Sequence, residues 1–258
     1  MRIFDSHAHY NDEAFAEDRT ALFHKMKEEG IEYVVNVGAD MESSKRTIAL
    51  TQEYDSVYGA IGVHPDEVGE LTEADMVWLK DKSQTAKVVA IGEIGLDYSR
   101  EECDKDLQKK WFSRQLELAV EVNLPVIVHS RDAAEDTFEI LKEMNHRHPI
   151  TGIIHCYSYS KEMAKEYLKL GFYFGIGGVV TFKNAKKVKE AVQSIPIEKI
   201  VIETDCPYLA PTPYRGERNS SLYLPEIIKE IALLKDMSTE EVAEQTYHNA
   251  KSIFGMAS

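Results

Sequence analysis

Short runs of β-branched and apolar residues alternate eight times along the chain with longer segments whose apolar residues recur at helical spacing. Strands that alternate with amphipathic helices in this way form parallel sheets. The runs predict eight strands, which are Arg2–Tyr10, Tyr33–Val37, Val57–Val63, Val88–Ile91, Val126–Val128, Gly152–Ile154, Phe172–Ile176 and Lys199–Ile202.

Helix-end signals support the segments between these strands. Gly30 is a natural C-cap, Thr72 followed by Asp75 is a weaker form of the capping box, and Ser238 with Glu241 is a full one. The pattern predicts helices at Glu13–Glu29, Ser43–Tyr54, from Thr72 onward, Asp104–Val122, Ala133–Met144, up to Gly171, Asn184–Val192 and within Leu224–Phe254.

Eight alternations in 258 residues favour one architecture, a single-domain (β/α)8 TIM barrel over residues 1–258. An open, doubly wound sheet is the alternative. It is less well supported, because His7-Ala-His9 follows the first strand where a dinucleotide-binding fold has its glycine-rich fingerprint.

Charge and composition narrow the classes of function. The net charge of −14 argues against broad, non-specific binding to duplex nucleic acid. No stretch approaches the roughly 20 apolar residues of a membrane span, and three widely spaced cysteines do not suggest a disulfide framework. We therefore expect a soluble cytoplasmic protein without a membrane association or an evident obligate protein partner.

Polar residues interrupt the apolar runs at the carboxyl ends of the predicted strands. His7 and His9 project to the same side of the first strand, because alternate side chains of an extended segment share a face. In a barrel all the strand ends meet at one rim. The residues that we expect to converge there are His7, His9, His64, Glu93, His129, His155 and Asp205.

Six of these residues are candidate ligands, namely His7, His9, Glu93, His129, His155 and Asp205. Six nitrogen and oxygen donors are too many for one four-coordinate zinc ion with an open position, but they suit two divalent ions bridged by a carboxylate. Glu93 is central enough to be that bridge. His64 precedes a Pro65-Asp66 turn, and it is either an orienting residue or a substrate contact. Taken singly, each residue has a simpler interpretation as a rim histidine or a loop-capping carboxylate.

The motifs at these strand ends resemble one family. They are Asp5-Ser-His-Ala-His9, Gly62-Val-His-Pro65, Gly92-Glu-Ile-Gly-Leu-Asp97, His129-Ser-Arg-Asp132, His155-Cys-Tyr-Ser158 and Glu203-Thr-Asp-Cys-Pro-Tyr-Leu209. Together they resemble the TatD family of metal-dependent deoxyribonucleases, within the amidohydrolase superfamily, over essentially the whole chain. The resemblance implies a TIM barrel, the same six metal ligands, and hydrolysis of DNA phosphodiester bonds with magnesium, manganese or zinc. One departure is visible, since Ser220-Ser221 follows Arg215-Gly-Glu-Arg-Asn219 where the family usually has Glu-Pro.

A mechanism follows as a hypothesis. Two ions would hold a bridging hydroxide as the nucleophile. Asp205 would orient it and accept its proton, Glu93 would bridge the ions, and His64 would help to stabilise the phosphate or the leaving group. Arginine forks at Arg131, Arg215 and Arg218 would clamp phosphate oxygens, and the alternative for each is a surface salt bridge. Tyrosines beside the motifs could stack on bases or could be ordinary packing; these are Tyr157, Tyr159, Tyr208 and Tyr214.

The expected substrate is DNA with single-stranded ends, because an acidic protein with a deep rim site suits a protruding strand better than an intact duplex. With the family resemblance, the expected enzyme is an exonuclease-like deoxyribonuclease of the 3′-to-5′ type. Two alternatives remain open at the sequence level. One is a metal-dependent hydrolase of a small ester, a lactone or a misacylated tRNA. The other is a non-catalytic, metal-stabilised binding protein.

Overall fold

The structure is a computed structural model and describes residues 1–256. All eight predicted strands are present. They are β1 (Ile3–Ala8), β2 (Ile31–Val37), β3 (Val57–Ile61), β4 (Val88–Asp97), β5 (Val126–Arg131), β6 (Gly152–Ile154), β7 (Tyr173–Ile176) and β8 (Ile200–Ile202). The α-helices are α1 (Arg19–Glu28), α2 (Met41–Glu53), α3 (Glu73–Lys82), α4 (Lys105–Val122), α5 (Ala134–Arg147), α6 (Lys161–Lys169), α7 (Lys186–Ser194), α8 (Leu224–Lys235) and α9 (Thr239–Ile253).

The strands follow one another through the sheet in chain order from β1 to β8. A doubly wound sheet changes direction at an internal switch point, so this order excludes the alternative fold. The first and last strands are also neighbours, since the Ser6 hydroxyl donates to the Ile202 carbonyl at 3.0 Å. This is the strand arrangement of a (β/α)8 barrel, and it confirms the predicted fold class.

The described chain divides into two compact units. The first contains Met1–Asn36, Cys156–Lys169 and the residues from Tyr173 onward, and in it β1 pairs in parallel with β2 and β7 with β8. The second contains Val37–His155 and Leu170–Phe172, with β3 to β6 paired in parallel in turn. The predicted single domain over residues 1–258 stays a prediction, and its last two residues lie outside the described part.

Strand β4 is longer than predicted, because it continues past Ile91 to Asp97 with every residue buried. Gly95 permits this extension. It has a φ of +150°, and a Cβ atom there would lie 1.9 Å from the His129 carbonyl oxygen. The glycine thus lets β4 approach β5 closely, and both carboxylates of the motif, Glu93 and Asp97, stand on a strand instead of a loop.

Two of the helix-end predictions are confirmed in detail. Thr72 and Ser238 each accept a hydrogen bond from the backbone three residues on, and Asp75 and Glu241 bond back to them. The predicted helix Glu13–Glu29 is wrong in its first part, where a 3-10 turn precedes α1. Among residues 1–256, no helix is both long and apolar enough to cross a bilayer.

An aromatic cluster seats α9 against β1 in the first unit. The Phe4 ring lies 5.6 to 6.3 Å from the rings of Tyr33, Tyr247 and Phe254. Buried aromatic pairs at such separations stabilise a core beyond the area that they bury. The cluster anchors the strand that carries His7.

Candidate metal centre

The first group of candidate ligands lies where β1 and β8 end. His7 is on β1, His9 follows that strand, and Asp205 follows β8. The two histidine Nε2 atoms are 3.1 Å apart, and the Asp205 Oδ1 atom lies 3.3 Å from that of His9 and 3.6 Å from that of His7. Two imidazole nitrogens and a carboxylate oxygen that converge in this way fit a divalent cation.

Backbone geometry fixes the third member of this group. Asp205 has a φ of +58°, a left-handed conformation that is uncommon for residues other than glycine. Its amide donates to the His7 carbonyl at 3.0 Å. The aspartate therefore takes its position directly from the strand that carries the first histidine.

A buried carboxylate holds both strand ends in place. Asp5 is fully buried and accepts hydrogen bonds from the amides of His7 (3.3 Å) and Thr204 (3.0 Å) and from the hydroxyls of Thr204 (2.7 Å) and Ser221 (2.6 Å). Burial raises the pKa of Asp5 to about 7, although these hydrogen bonds lower it. Ser221, part of the departure from the usual family motif, thus completes the support beneath His7.

The second group lies at the ends of β4, β5 and β6. The Glu93 Oε1 atom is 2.8 Å from His129 Nδ1 and 3.5 Å from His155 Nε2. On the other side of the imidazole, Asp97 Oδ2 lies 3.0 Å from His129 Nε2. Strand register explains the arrangement, because Gly95, midway between the two carboxylates, pairs with His129.

Charge in this group favours a cation. Burial lowers the pKa of His129, but its hydrogen bonds with Asp97 and Glu93 outweigh burial and raise that pKa to about 9. The same hydrogen bond from His129, with others from Ser99, holds the pKa of the Asp97 carboxyl well below its usual range even though burial raises it. The charged imidazole donates from Nε2 to Asp97 and from Nδ1 to Glu93, and loss of the Nδ1 proton would leave its lone pair beside Glu93. Metal-binding histidines are typically oriented in this way by a carboxylate on the other nitrogen, so the donor set fits a metal.

His64 stands at the edge of the second group. Its Nδ1 accepts the Asp66 amide at 3.2 Å and so caps the 3-10 turn Pro65–Glu70. Its ring meets the His129 ring edge-on at 4.4 Å, and burial lowers its pKa to about 4. The His64, Glu93 and His129 donor atoms lie within 4.8 Å of one another, so a neutral His64 imidazole is compatible with a ligand role as well as with the orienting or substrate-contacting role.

The three predicted phosphate-binding arginines differ in whether they form ion pairs. Arg131 is exposed at the end of β5, and Arg215 is exposed with its guanidinium 4.0 Å from the Phe182 ring. Neither forms an ion pair within residues 1–256. Arg218, in contrast, pairs with Asp18 at 2.5 and 2.9 Å and donates to the Ala14 carbonyl, which is the surface salt bridge that was its alternative interpretation.

Tyr157 was predicted to contact the substrate, but the structure buries its side chain. Its side chain is only 3% exposed, its hydroxyl donates to the Ser160 carbonyl at 2.6 Å, and its ring packs edge-on against Tyr159, Tyr167 and Phe174. A ring packed on this many sides has no free face for a base. The physical reason is that the turn after β6 folds back over β7.

Two supporting residues, Asp5 and Asp97, were quoted within motifs but were given no role by sequence reasoning. A signal was available for Asp97, because residues four apart on an extended strand share a face, and it therefore projects with Glu93. Asp5 had a weaker signal, namely a carboxylate within an otherwise apolar strand.

Known proteins resemble the chain over nearly its whole length. The family model described as TatD related DNase matches residues 4–255. The chain is 47% identical to the "uncharacterized metal-dependent hydrolase YabD" of Bacillus subtilis, over 98% of each chain. It is 33% identical to the "uncharacterized metal-dependent hydrolase TatD" of Mycobacterium tuberculosis, again over 98% of each. The crystal structure of YjjV, a TatD homologue from Escherichia coli, superposes with a TM-score of 0.93 at 26% identity, over 99% of both chains.

Proposed function

The chain belongs to the TatD related DNase family of metal-dependent hydrolases, and we propose that it cleaves phosphodiester bonds of DNA from single-stranded ends, as an exonuclease of the 3′-to-5′ type. The observation that carries this proposal is the His129 imidazole, oriented by Asp97 so that its other nitrogen faces Glu93. A carboxylate on the second nitrogen typically orients a histidine that binds a metal, and the relatives that this chain resembles are metal-dependent hydrolases.

We further propose that the candidate ligands bind two divalent ions, magnesium, manganese or zinc. The ligands would be His7, His9, Glu93, His129, His155 and Asp205, with Glu93 shared between the ions. Support comes from their common position at the carboxyl ends of strands in a (β/α)8 fold, where active sites of this fold are built. When bound, the ions would lower the pKa of a water molecule and stabilise negative charge on the phosphoryl oxygens.

Side chains at the site would transfer the proton and bind the phosphate. Asp205 would accept the proton of the attacking water, because its carboxylate stands beside two histidine nitrogens at the strand ends. His64 would donate a hydrogen bond to the phosphate or the leaving oxygen through Nε2, since its other nitrogen accepts a backbone amide. Arg131 and Arg215 would hold phosphate oxygens with their planar forks.

Charge supports the preference for a strand end. A net charge of −14 provides no extended basic surface for a duplex, so attraction would come from metal ions and a few arginines. A further acidic cleft of about 500 Å³ lies between the segments that follow β2 and β3, lined by six carboxylates. Local engagement of one strand suits such a surface better than contact along a duplex.

The test uses metal-free protein with magnesium, manganese or zinc restored singly. End-labelled single strands, blunt duplex and closed circular DNA are compared as substrates. We expect metal-dependent shortening of single strands from the 3′ end, with duplex ends slower and circles resistant. Glu93→Gln and Asp205→Asn should each reduce the rate at least a thousandfold, as loss of a central group in a hydrolytic site does. Glu240→Gln, the same change at an exposed position on α9, is the control.

Efficient nicking of closed circles would overturn the preference for ends. Wild-type rates from Glu93→Gln at saturating metal would overturn its place in the centre. Bis-p-nitrophenyl phosphate, a lactone and a misacylated tRNA are assayed in parallel. Hydrolysis of the lactone or the tRNA ester, without cleavage of any phosphodiester, would instead favour the alternative ester substrate.

A further inference from the structure

Two large apolar side chains are exposed next to each other beside a candidate metal ligand. In the part of the chain that the structure describes, five large hydrophobic side chains are exposed, and only Tyr208 (57%) and Leu209 (41%) are adjacent. They come three and four residues after Asp205. Exposed apolar surface costs free energy in water, so two exposed apolar side chains in succession this close to a candidate ligand indicate a binding surface.

The backbone beneath these side chains is firmly held. The Tyr208 amide donates to the Asp205 carbonyl at 2.9 Å, and the Tyr208 carbonyl accepts the Asn219 side-chain amide at 2.7 Å. The Asn219 amide also donates to the Pro207 carbonyl at 3.0 Å. A Cβ atom at Gly178 would lie 2.2 Å from the Leu209 carbonyl oxygen, so the segment after β7 packs directly on this backbone.

The side chains therefore project from a fixed support. Leu209 has a φ of +53°, so the backbone turns in a left-handed conformation directly after Tyr208. Asp12 lies near the Tyr208 hydroxyl, and together with burial it raises the pKa of that group. A tyrosine with a fixed backbone and exposed ring presents a preformed surface, which reduces the entropy that binding must overcome.

A phosphate-binding group belongs to the same loop. Thr212 donates its amide to the Thr181 hydroxyl at 2.8 Å, which ties the segment after β8 to the segment after β7. Arg215 stacks on Phe182 of that second segment and forms no ion pair within residues 1–256. The same loop thus carries an exposed apolar pair soon after Asp205 and a cationic fork six residues after Leu209, which are groups that suit a base and a phosphate.

We propose that Tyr208 and Leu209 form a platform on which the unpaired terminal base of the DNA strand stacks, next to the phosphodiester that is cleaved. This inference rests on the proposed function and specifies its substrate contact. Because every base has a flat apolar face, the platform would select an unpaired nucleobase of any identity over a base-free or base-paired end. The platform would make the substrate contact that the sequence analysis assigned to Tyr157.

The experiment measures a ratio. Metal-loaded wild type, Tyr208→Ala, Leu209→Ala and Tyr208→Phe are assayed on a single-stranded oligonucleotide and on the same oligonucleotide with an abasic terminal residue. The readout is kcat/KM on the normal strand divided by kcat/KM on the abasic strand. We expect a ratio of about ten for wild type, from the stacking of one base. It should fall close to one in the two alanine variants and recover in Tyr208→Phe, which keeps the ring.

Leu233→Ala is the matched control, since Leu233 is an exposed leucine on α8 with 78% exposure. It should leave the ratio as in wild type, and thermal melts verify that every variant is folded. A wild-type ratio near one, or an unchanged ratio in Tyr208→Ala, would overturn the platform while leaving the nuclease proposal intact. Failure of wild type to cleave either oligonucleotide, with any metal, would overturn the proposed function and the platform with it.

Discussion

A single imidazole shows how residue-level geometry prepares a metal ligand. His129 pairs in register with Gly95, and the carboxylates two positions before and after that glycine reach the two nitrogens of the ring. Asp97 fixes the ring orientation and the tautomer, while Glu93 faces the nitrogen that would bind the cation. Removal of the outer carboxylate should therefore act on metal affinity without removal of a ligand.

Asp97→Asn tests this dependence. The amide keeps a hydrogen-bond acceptor for Nε2 but loses the negative charge, so we expect metal affinity to fall about tenfold to a hundredfold. Calorimetric titration of metal-free protein measures the dissociation constant. Asp81→Asn, an exposed carboxylate on α3, is the control and should bind metal as wild type does. An unchanged dissociation constant in Asp97→Asn would show that the outer carboxylate does not orient His129 for metal binding.

Sequence analysis identified the candidate ligands, but it did not identify the residues that hold them in position. Histidines and carboxylates at strand ends are visible as polar interruptions of apolar runs. The role of Asp97 depends on strand β4 extending past Ile91, which the glycines around Glu93 conceal in a pattern of apolar residues. The burial of Tyr157 depends on how the turn after β6 meets β7, and no local pattern encodes that contact.

At the level of elements, the helix starts at Thr72 and Ser238 were predicted accurately, because each has a capping box whose signal is local, whereas α2 begins at Met41, two residues before its predicted start. Side-chain and backbone groups within four residues satisfy one another, so tertiary packing does not decide the outcome. The segment before α1 lacks such a box, and there the predicted helix started too early. Its Asp12 instead caps a short 3-10 turn by accepting the Ala14 amide at 2.7 Å.

Ser238→Ala should destabilise the protein through α9. The serine hydroxyl accepts the Glu241 amide at 3.2 Å, and the Glu241 carboxylate bonds back to it. Loss of such a cap costs about 1 kcal/mol, which corresponds to a fall of about 2–4 °C in Tm for a chain of this size. Differential scanning calorimetry measures it. Thr239→Ala, one residue further on, should change Tm by less, and equal shifts would contradict the capping role.

The ion pair between Arg218 and Asp18 links the loop after β8 to the start of α1 and should stabilise the fold in a pH-dependent way. The hydrogen bond from Arg218 lowers the pKa of the Asp18 carboxyl. A carboxyl whose folded pKa is lowered contributes stability above its unfolded pKa, and this contribution disappears as the pH falls through the folded value.

Arg218→Gln should therefore lower Tm at pH 7, and the difference from wild type should shrink progressively as the pH falls below about 4. Both side chains are about 40% exposed, so solvent screening limits the effect to less than about 1 kcal/mol. Melting curves of wild type and variant over this pH range measure the difference. A difference in Tm that persisted unchanged at acid pH would show that packing of Arg218 on the Phe15 ring, at 4.8 Å, accounts for the effect instead.

For the whole molecule, the fold was predictable because the eight-fold alternation repeats a single unit, and each repeat strengthens the same conclusion. The family resemblance added the reaction, which the fold cannot supply. The charge of the chain then constrains how a polyanionic substrate binds. A protein with 44 acidic and 30 basic residues cannot rely on diffuse attraction, so a small number of specific contacts would have to hold the proposed DNA strand.

The salt dependence of KM measures how many phosphates the protein neutralises. If only Arg131 and Arg215 neutralise phosphates, the slope of log KM for a single-stranded oligonucleotide against log salt concentration should be shallow, about 1.4, since each neutralised phosphate of a single strand contributes about 0.7. Arg215→Met should reduce the slope to about 0.7, while Arg218→Met, which removes an arginine already paired with Asp18, should leave it unchanged. Steady-state assays across a range of salt, at saturating metal, provide the slopes. A steep slope in wild type would reveal an extended basic surface, which the acidic balance of the chain argues against. An equal reduction of the slope in both arginine variants would mean that long-range charge holds the strand, and not a specific contact at Arg215.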